Sequence, residues 1–119
     1  MAWRFTTDKP VYLQIAERIS REVLSGTYQP GQQVPPVRQL AMEAAVNPNT
    51  VQHAFTELEN AGIIQSKGTM GRFVTEDAET LERCRQAMAR ELTERFVEEM
   101  AQLSISPEQA IQFIREVSQ

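Results

Sequence analysis

Val37-Arg38-Gln39-Leu40-Ala41-Met42-Glu43, a turn through Ala44-Ala45-Val46, and then Asn47-Pro48-Asn49-Thr50-Val51-Gln52-His53-Ala54-Phe55-Thr56-Glu57-Leu58 form the stretch that decides the fold. In its first part Val37, Leu40 and Ala41 stand at the i, i+3, i+4 spacing that puts apolar groups on one face of a short helix. Asn47 is a good N-cap, and Pro48 suits the first helical position, where its missing N–H costs nothing, so a second helix starts there. Along it Val51, Phe55 and Leu58, with Ala54 beside them, make a buried stripe, while Asn49, Thr50, Gln52, His53 and Thr56 face outward. Gly62, after Asn60-Ala61, is the left-handed residue expected just past the last turn.

Next come Ile63-Ile64-Gln65-Ser66 and Arg72-Phe73-Val74-Thr75, two β-prone runs joined by Lys67-Gly68-Thr69-Met70-Gly71. This is a hairpin signal. Helix, sharp turn, helix and glycine-tipped hairpin together give the order of a winged helix-turn-helix. Amide and hydroxyl groups on the outward face of the second helix have the length to pair with base edges in a major groove, and a helix N-terminus attracts phosphate. At the hairpin tip the two glycines permit positive φ and close approach, and Lys67 and Arg72 supply positive charge beside it. In an isolated hairpin these two would read as solvated turn residues. Directly behind a helix-turn-helix they are expected at a phosphate or a minor groove, so double-stranded DNA is the expected partner.

A third helix precedes the pair. After Asp8-Lys9-Pro10, residues Tyr12, Ile15, Ala16, Ile19 and Val23 recur at helical spacing until Gly26 ends the run, and this helix should pack beneath the other two. Trp3 and Phe5 lie ahead of it in an extended segment that reads as a packing flap.

The signature Gly26-Thr27-Tyr28-Gln29-Pro30-Gly31-Gln32-Gln33-Val34-Pro35-Pro36-Val37-Arg38-Gln39-Leu40-Ala41, together with Asn47-Pro48-Asn49-Thr50-Val51 and the wing Lys67-Gly68-Thr69-Met70-Gly71-Arg72-Phe73-Val74, resembles the GntR family of bacterial transcription regulators. The resemblance covers residues 8 to 75, and the short tail looks like the YtrA-like subgroup, which has two helices there in place of a large effector domain. It implies that Arg38 falls at a DNA-contacting arginine at the start of the helix. It also implies that Asn47, Asn49, Thr50 and Gln52 fall at turn and recognition-helix positions used on DNA, and that Gly68 falls at a wing tip reaching the minor groove. Two positions depart from the family's habit: Pro36 replaces the usual serine, removing a side-chain cap, and His53 replaces a base beside Gln52.

The tail speaks about assembly. Leu81, Cys84, Met88, Leu92, Phe96, Met100 and Leu103 follow at steps of three or four, a stripe along roughly 35 Å of helix. Ser106, Pro107 and Gln109 then form a capping box for a last helix carrying Ala110, Ile111, Ile114 and Val117 on one side, with Phe113 next to them. Two such helices cannot bury these stripes against each other completely, so a second copy of the chain is the economical cover. The expected organisation is therefore a winged helix-turn-helix domain over 1–75 and a helical dimerisation segment over 76–119, mainly α with a small β-hairpin.

Charge and composition limit the function classes. The 119-residue chain has a net charge of −4, divided as +1 over residues 1–75 and −5 over the tail. A protein this acidic is no general nucleic-acid coat, since nonspecific affinity comes from phosphate neutralisation; its binding must rest on a focused site. The one cysteine, Cys84, forms no internal disulfide and has no metal-ligand partners at suitable spacing, so no metal or other cofactor is expected. An enzyme reading lacks a nucleophile with a base at a telling spacing and a phosphate-binding glycine loop, and His53 is the single histidine. No signal-like or membrane-spanning run is present, which points to the cytoplasm. The expected function is a sequence-specific transcription regulator acting as a repressor on an inverted-repeat operator, as a homodimer. The alternative is a winged-helix module for protein contact without DNA binding. An unknown small-molecule effector is left room only at the interface between two copies.

Overall fold

Three helices build the N-terminal unit in a computed structural model that describes residues 3–119: Val11–Leu24 (α1), Val37–Ala44 (α2) and Pro48–Asn60 (α3). Pro10 opens α1, its carbonyl accepting from the amides of Leu13 and Gln14, and Ile15, Ala16, Ile19 and Val23 form the buried face. Pro36 precedes α2 without a side-chain cap, as its substitution for serine implies. The helix ends on Ala45 in the left-handed region (φ 59°, ψ 50°), and the Val46 amide reaches back to the Ala41 carbonyl at 3.0 Å. That backbone reversal is the turn between the two helices. It costs an alanine about 1–2 kcal/mol, since Cβ crowds the next carbonyl there.

Asn47 caps α3 by accepting from the Asn49 amide at 2.8 Å, with Pro48 at the first position. Val51, Ala54, Phe55 and Leu58 all point into the core, where they meet Ile15, Ile19, Leu40, Ile64 and Val74. Each large apolar side chain fully buried here contributes roughly 1.5–3 kcal/mol. Trp3 and Phe5 lie partly buried against this core, the Arg18 guanidinium 3.8 Å from the Trp3 ring centroid.

The wing is Ile64–Ser66 (β1) and Arg72–Val74 (β2), antiparallel with Ile64 opposite Val74 and Ser66 opposite Arg72. Both strands are shorter than the four-residue runs in the sequence, and Gly68–Met70 folds as one 3-10 turn. The other edge of β2 is lined by residues 31–34: the Gly31 amide donates to the Val74 carbonyl, the Val74 amide to Gln32 and the Val34 amide to Arg72, each at 2.9 Å.

Helix α4 spans Ala78–Gln102. Asp77 starts it, accepting from the Glu79 amide at 3.1 Å and the Thr80 hydroxyl at 2.7 Å. Leu81 and Cys84 pack against the N-terminal core, and the first compact unit runs to Cys84, past the end of the wing at residue 75. The second unit, Arg85–Gln119, holds the rest of α4 and Pro107–Val117 (α5). Leu103 lies just beyond the end of α4 rather than within its stripe. The Ser106–Gln109 capping box forms in full, with both reciprocal hydrogen bonds made. Among the described residues no helix is long and apolar enough to cross a membrane.

Candidate nucleic-acid interface

Helical spacing divides α3 cleanly. With Val51, Phe55 and Leu58 committed to the core, Asn49, Gln52, His53 and Thr56 are left exposed and Thr50 half-buried. The side-chain amides of Asn49 and Gln52 make no hydrogen bond within the described residues, so their donors and acceptors are available to a ligand. Thr56 turns its hydroxyl back to the Gln52 carbonyl at 3.2 Å, and Asn47 spends its carbonyl oxygen on the cap. His53 stacks on Tyr12 of α1, ring centroids 3.5 Å apart and planes 6° from parallel. The sequence showed His53 only as an outward residue; the stack links the exposed row of α3 to α1.

The cations sort into two groups. Lys9 pairs with Glu17 at 2.9 Å, Arg21 with Glu17 at 3.0 Å, Arg18 with Glu22 at 3.8 Å and Arg72 with Glu59 at 3.3 Å. Arg38, exposed in the first turn of α2, and Lys67, exposed at the wing, have no salt bridge among the described residues. The fold thus pairs Lys9, Arg18, Arg21 and Arg72 with acids and, among the described residues, leaves Arg38 at the helix pair and Lys67 at the wing outside any salt bridge, as it does Arg4 ahead of α1 and Arg83 on α4.

The wing residues expected near a duplex divide further. Gly68 has φ +62°, and a Cβ added there would meet nothing within 4 Å, so the tip is open. Lys67 Nζ lies over the Phe73 ring, 4.9 Å from its centroid, and makes no salt bridge among the described residues. Arg72 is turned to α3 instead: besides Glu59, it lies 4.9 Å from the Phe55 ring centroid. Sequence reasoning placed it as a charge beside the tip because nothing in the linear pattern ties β2 to Glu59.

The profile of the bacterial regulatory proteins of the gntR family matches residues 11–74, the whole span from α1 to β2. The chain belongs to the GntR family. Its likeness to relatives in the family extends past the winged helix. The uncharacterized HTH-type transcriptional regulator YhcF of Bacillus subtilis (strain 168) is 35% identical over 94% of this chain and 93% of its own. The HTH-type transcriptional repressor YtrA of the same organism is 33% identical over 92% of this chain and 85% of its own. Among solved structures, a GntR family transcriptional regulator from Listeria monocytogenes superposes with a TM-score of 0.86 at 38% identity, covering 94% of this chain and 98% of that one. The DNA-binding domain of AraR, in complex with operator ORX1, matches 63% of this chain and 95% of its own with a TM-score of 0.57 at 25% identity. The protein is therefore a DNA-binding transcription regulator of the GntR family and not an enzyme, with the winged helix and helical tail that the sequence suggested.

Proposed function

We propose that the protein is a repressor that binds an inverted-repeat operator as a homodimer in the cytoplasm. The observation that carries this reading is the exposed face of α3, where the side-chain amides of Asn49 and Gln52 make no hydrogen bond among the described residues, with Arg38 in the first turn of α2 and Lys67 at the wing outside the salt bridges. In this reading Asn49, Thr50 and Gln52 enter the major groove and set sequence preference, and the free amino group of Asn47 joins them from the turn. Arg38 holds the backbone at the start of α2, while Lys67 and Gly68 bring the wing to the minor groove. His53 keeps its place at the interface through the Tyr12 stack, and Arg72 acts from behind by fastening the wing to α3.

The dimer is supported by what the second unit leaves uncovered. Ile114 is 47% exposed, Val117 83% and Leu103 70%, and Leu92, Ile111 and Phe113 are exposed as well. Met88, Phe96 and Met100 continue the stripe on α4, partly exposed. Apolar groups gathered this densely mark an interaction surface. A closed two-fold dimer presents each winged domain to a half-site related by the same symmetry, hence the inverted repeat. Repression is supported by the similarity to YtrA, which is named as a repressor.

Selecting bound fragments from genomic DNA with the intact protein tests the reading. An enriched sequence with two inverted half-sites, lying over promoters, is the expected result. Enrichment of nothing, or of a single unrepeated site, would overturn it.

A further inference from the structure

We propose that Gln33 is a positioning residue for groove recognition: it sets the conformation in which the wing tip meets the minor groove. The inference rests on the reading above that the wing enters that groove. Gln33 lies outside the hairpin, in the segment along β2, where it forms a bridge with Phe73. Its side chain reaches across to the tip, and Nε2 donates to the Met70 carbonyl at 2.9 Å. Gly71 passes so close to this amide that a Cβ there would stand 2.6 Å from Nε2, and the backbone has φ +107°. The glycine makes room for the glutamine.

Among the described residues the tip's other hydrogen bonds are its own backbone's, Lys67 N–H to the Gly71 carbonyl at 2.8 Å, Met70 N–H to Lys67 at 3.2 Å and Gly71 N–H to Gly68 at 3.3 Å, with Lys67 Nζ over the Phe73 ring beside them. A hairpin of two three-residue strands is marginal by itself. A side-chain tie from a separate segment fixes the inner side of the turn. Its outer side is free for a ligand: nothing crowds Gly68, and Met70 is 67% exposed. A tip ordered before binding loses less conformational freedom on the duplex, so the tie converts into affinity and groove selectivity rather than into core stability.

The test uses the full-length protein and a duplex selected by it from random DNA. Replacing adenine by 2,6-diaminopurine at A·T pairs in the flanks adds an amino group to the minor groove and leaves the major-groove face unchanged. The wild type should lose about tenfold in affinity at the pairs under the wing, the equivalent of one misplaced polar contact. Gln33→Met keeps the length and removes the donor. It should bind the unmodified duplex several-fold more weakly, lose less than about twofold on diaminopurine substitution, and keep the wild-type melting temperature. Gly71→Ala, which displaces the Gln33 amide and also strains the tip backbone at φ +107°, should lose the diaminopurine sensitivity as well, while Gln33→Met isolates the side-chain tie. A Gln33→Met protein retaining the full diaminopurine penalty, or a wild type indifferent to the substitution at every flanking pair, would overturn the inference. Failure of the wild type to prefer the selected duplex over a scrambled one is a different outcome, which removes the operator reading and the inference with it.

Discussion

Arg72 Nε lies 3.3 Å from Glu59 Oε1, so a side chain of the wing is fastened to the last turn of α3. Both side chains are half-buried, at 23% and 30% exposure, and the guanidinium also covers the Phe55 ring. The wing and α3 are thereby tied to each other, and if both meet DNA as proposed, a change in the pair should be felt at the duplex.

Removing either partner should therefore weaken operator binding. Glu59→Ala is the informative variant, because deleting an acid near DNA would by charge alone strengthen binding, whereas loss of the tie should weaken it. A double-mutant cycle with Arg72→Ala, read by thermal denaturation, should give a coupling of about 0.5–1 kcal/mol. Additive effects and tighter operator binding by Glu59→Ala would separate the wing from the helix.

Ala45 offers a stabilising change. It holds φ 59° in the turn between α2 and α3, a conformation that glycine adopts without steric penalty. Ala45→Gly should raise stability by about 0.5–1 kcal/mol, the relief of strain being partly offset by the greater freedom of the unfolded chain. Urea denaturation at an unchanged m-value measures it.

Much of this was legible beforehand, and the limits are physical. The stripes of α1 and α3, the Asn47 cap, Gly62 at φ +80° and the Ser106 capping box follow from local spacing and backbone chemistry, which a linear reading captures. The same reading identified the exposed row of α3, because a helix whose buried face is known has its other face fixed too. Contacts between segments far apart in the chain were not legible: Gln33 with Met70, Glu59 with Arg72 and Tyr12 with His53 depend on how the elements pack. The packing of Leu81 and Cys84 against the N-terminal core is of the same kind, a tertiary contact that no local spacing announces.

Asp77 gives a pH signature. The Thr80 hydroxyl first, and then the Glu79 amide, stabilise its carboxylate and hold it below the usual carboxylate range. A group with a depressed folded-state value contributes stability that is present above its unfolded value, near pH 4, and lost as the pH falls through the folded one. Asp77→Ala should thus be less stable than wild type at neutral pH, with the difference closing below about pH 4. Denaturation at pH 7 and pH 3 checks the convergence; a constant difference would assign the effect to packing alone.

The helical tail can be tested by charge. Phe96→Asp would bury an unpaired carboxylate in the proposed interface, at a cost of several kcal/mol, of order 3–5. Sedimentation at micromolar concentration should find a wild-type dimer and a monomeric variant. A wild-type monomer, or a variant still dimeric, would place assembly elsewhere.

Arg38 carries the central claim, as the unpaired cation at the start of α2. The most direct measurement is a fluorescence-anisotropy titration of wild type and Arg38→Ala against the selected operator, with circular dichroism to verify an unchanged fold. A specific arginine contact predicts a loss of about 1–3 kcal/mol, or roughly five- to 150-fold in affinity, together with a shallower salt dependence. A folded Arg38→Ala protein that binds the operator as tightly as wild type, with the same salt slope, would contradict it.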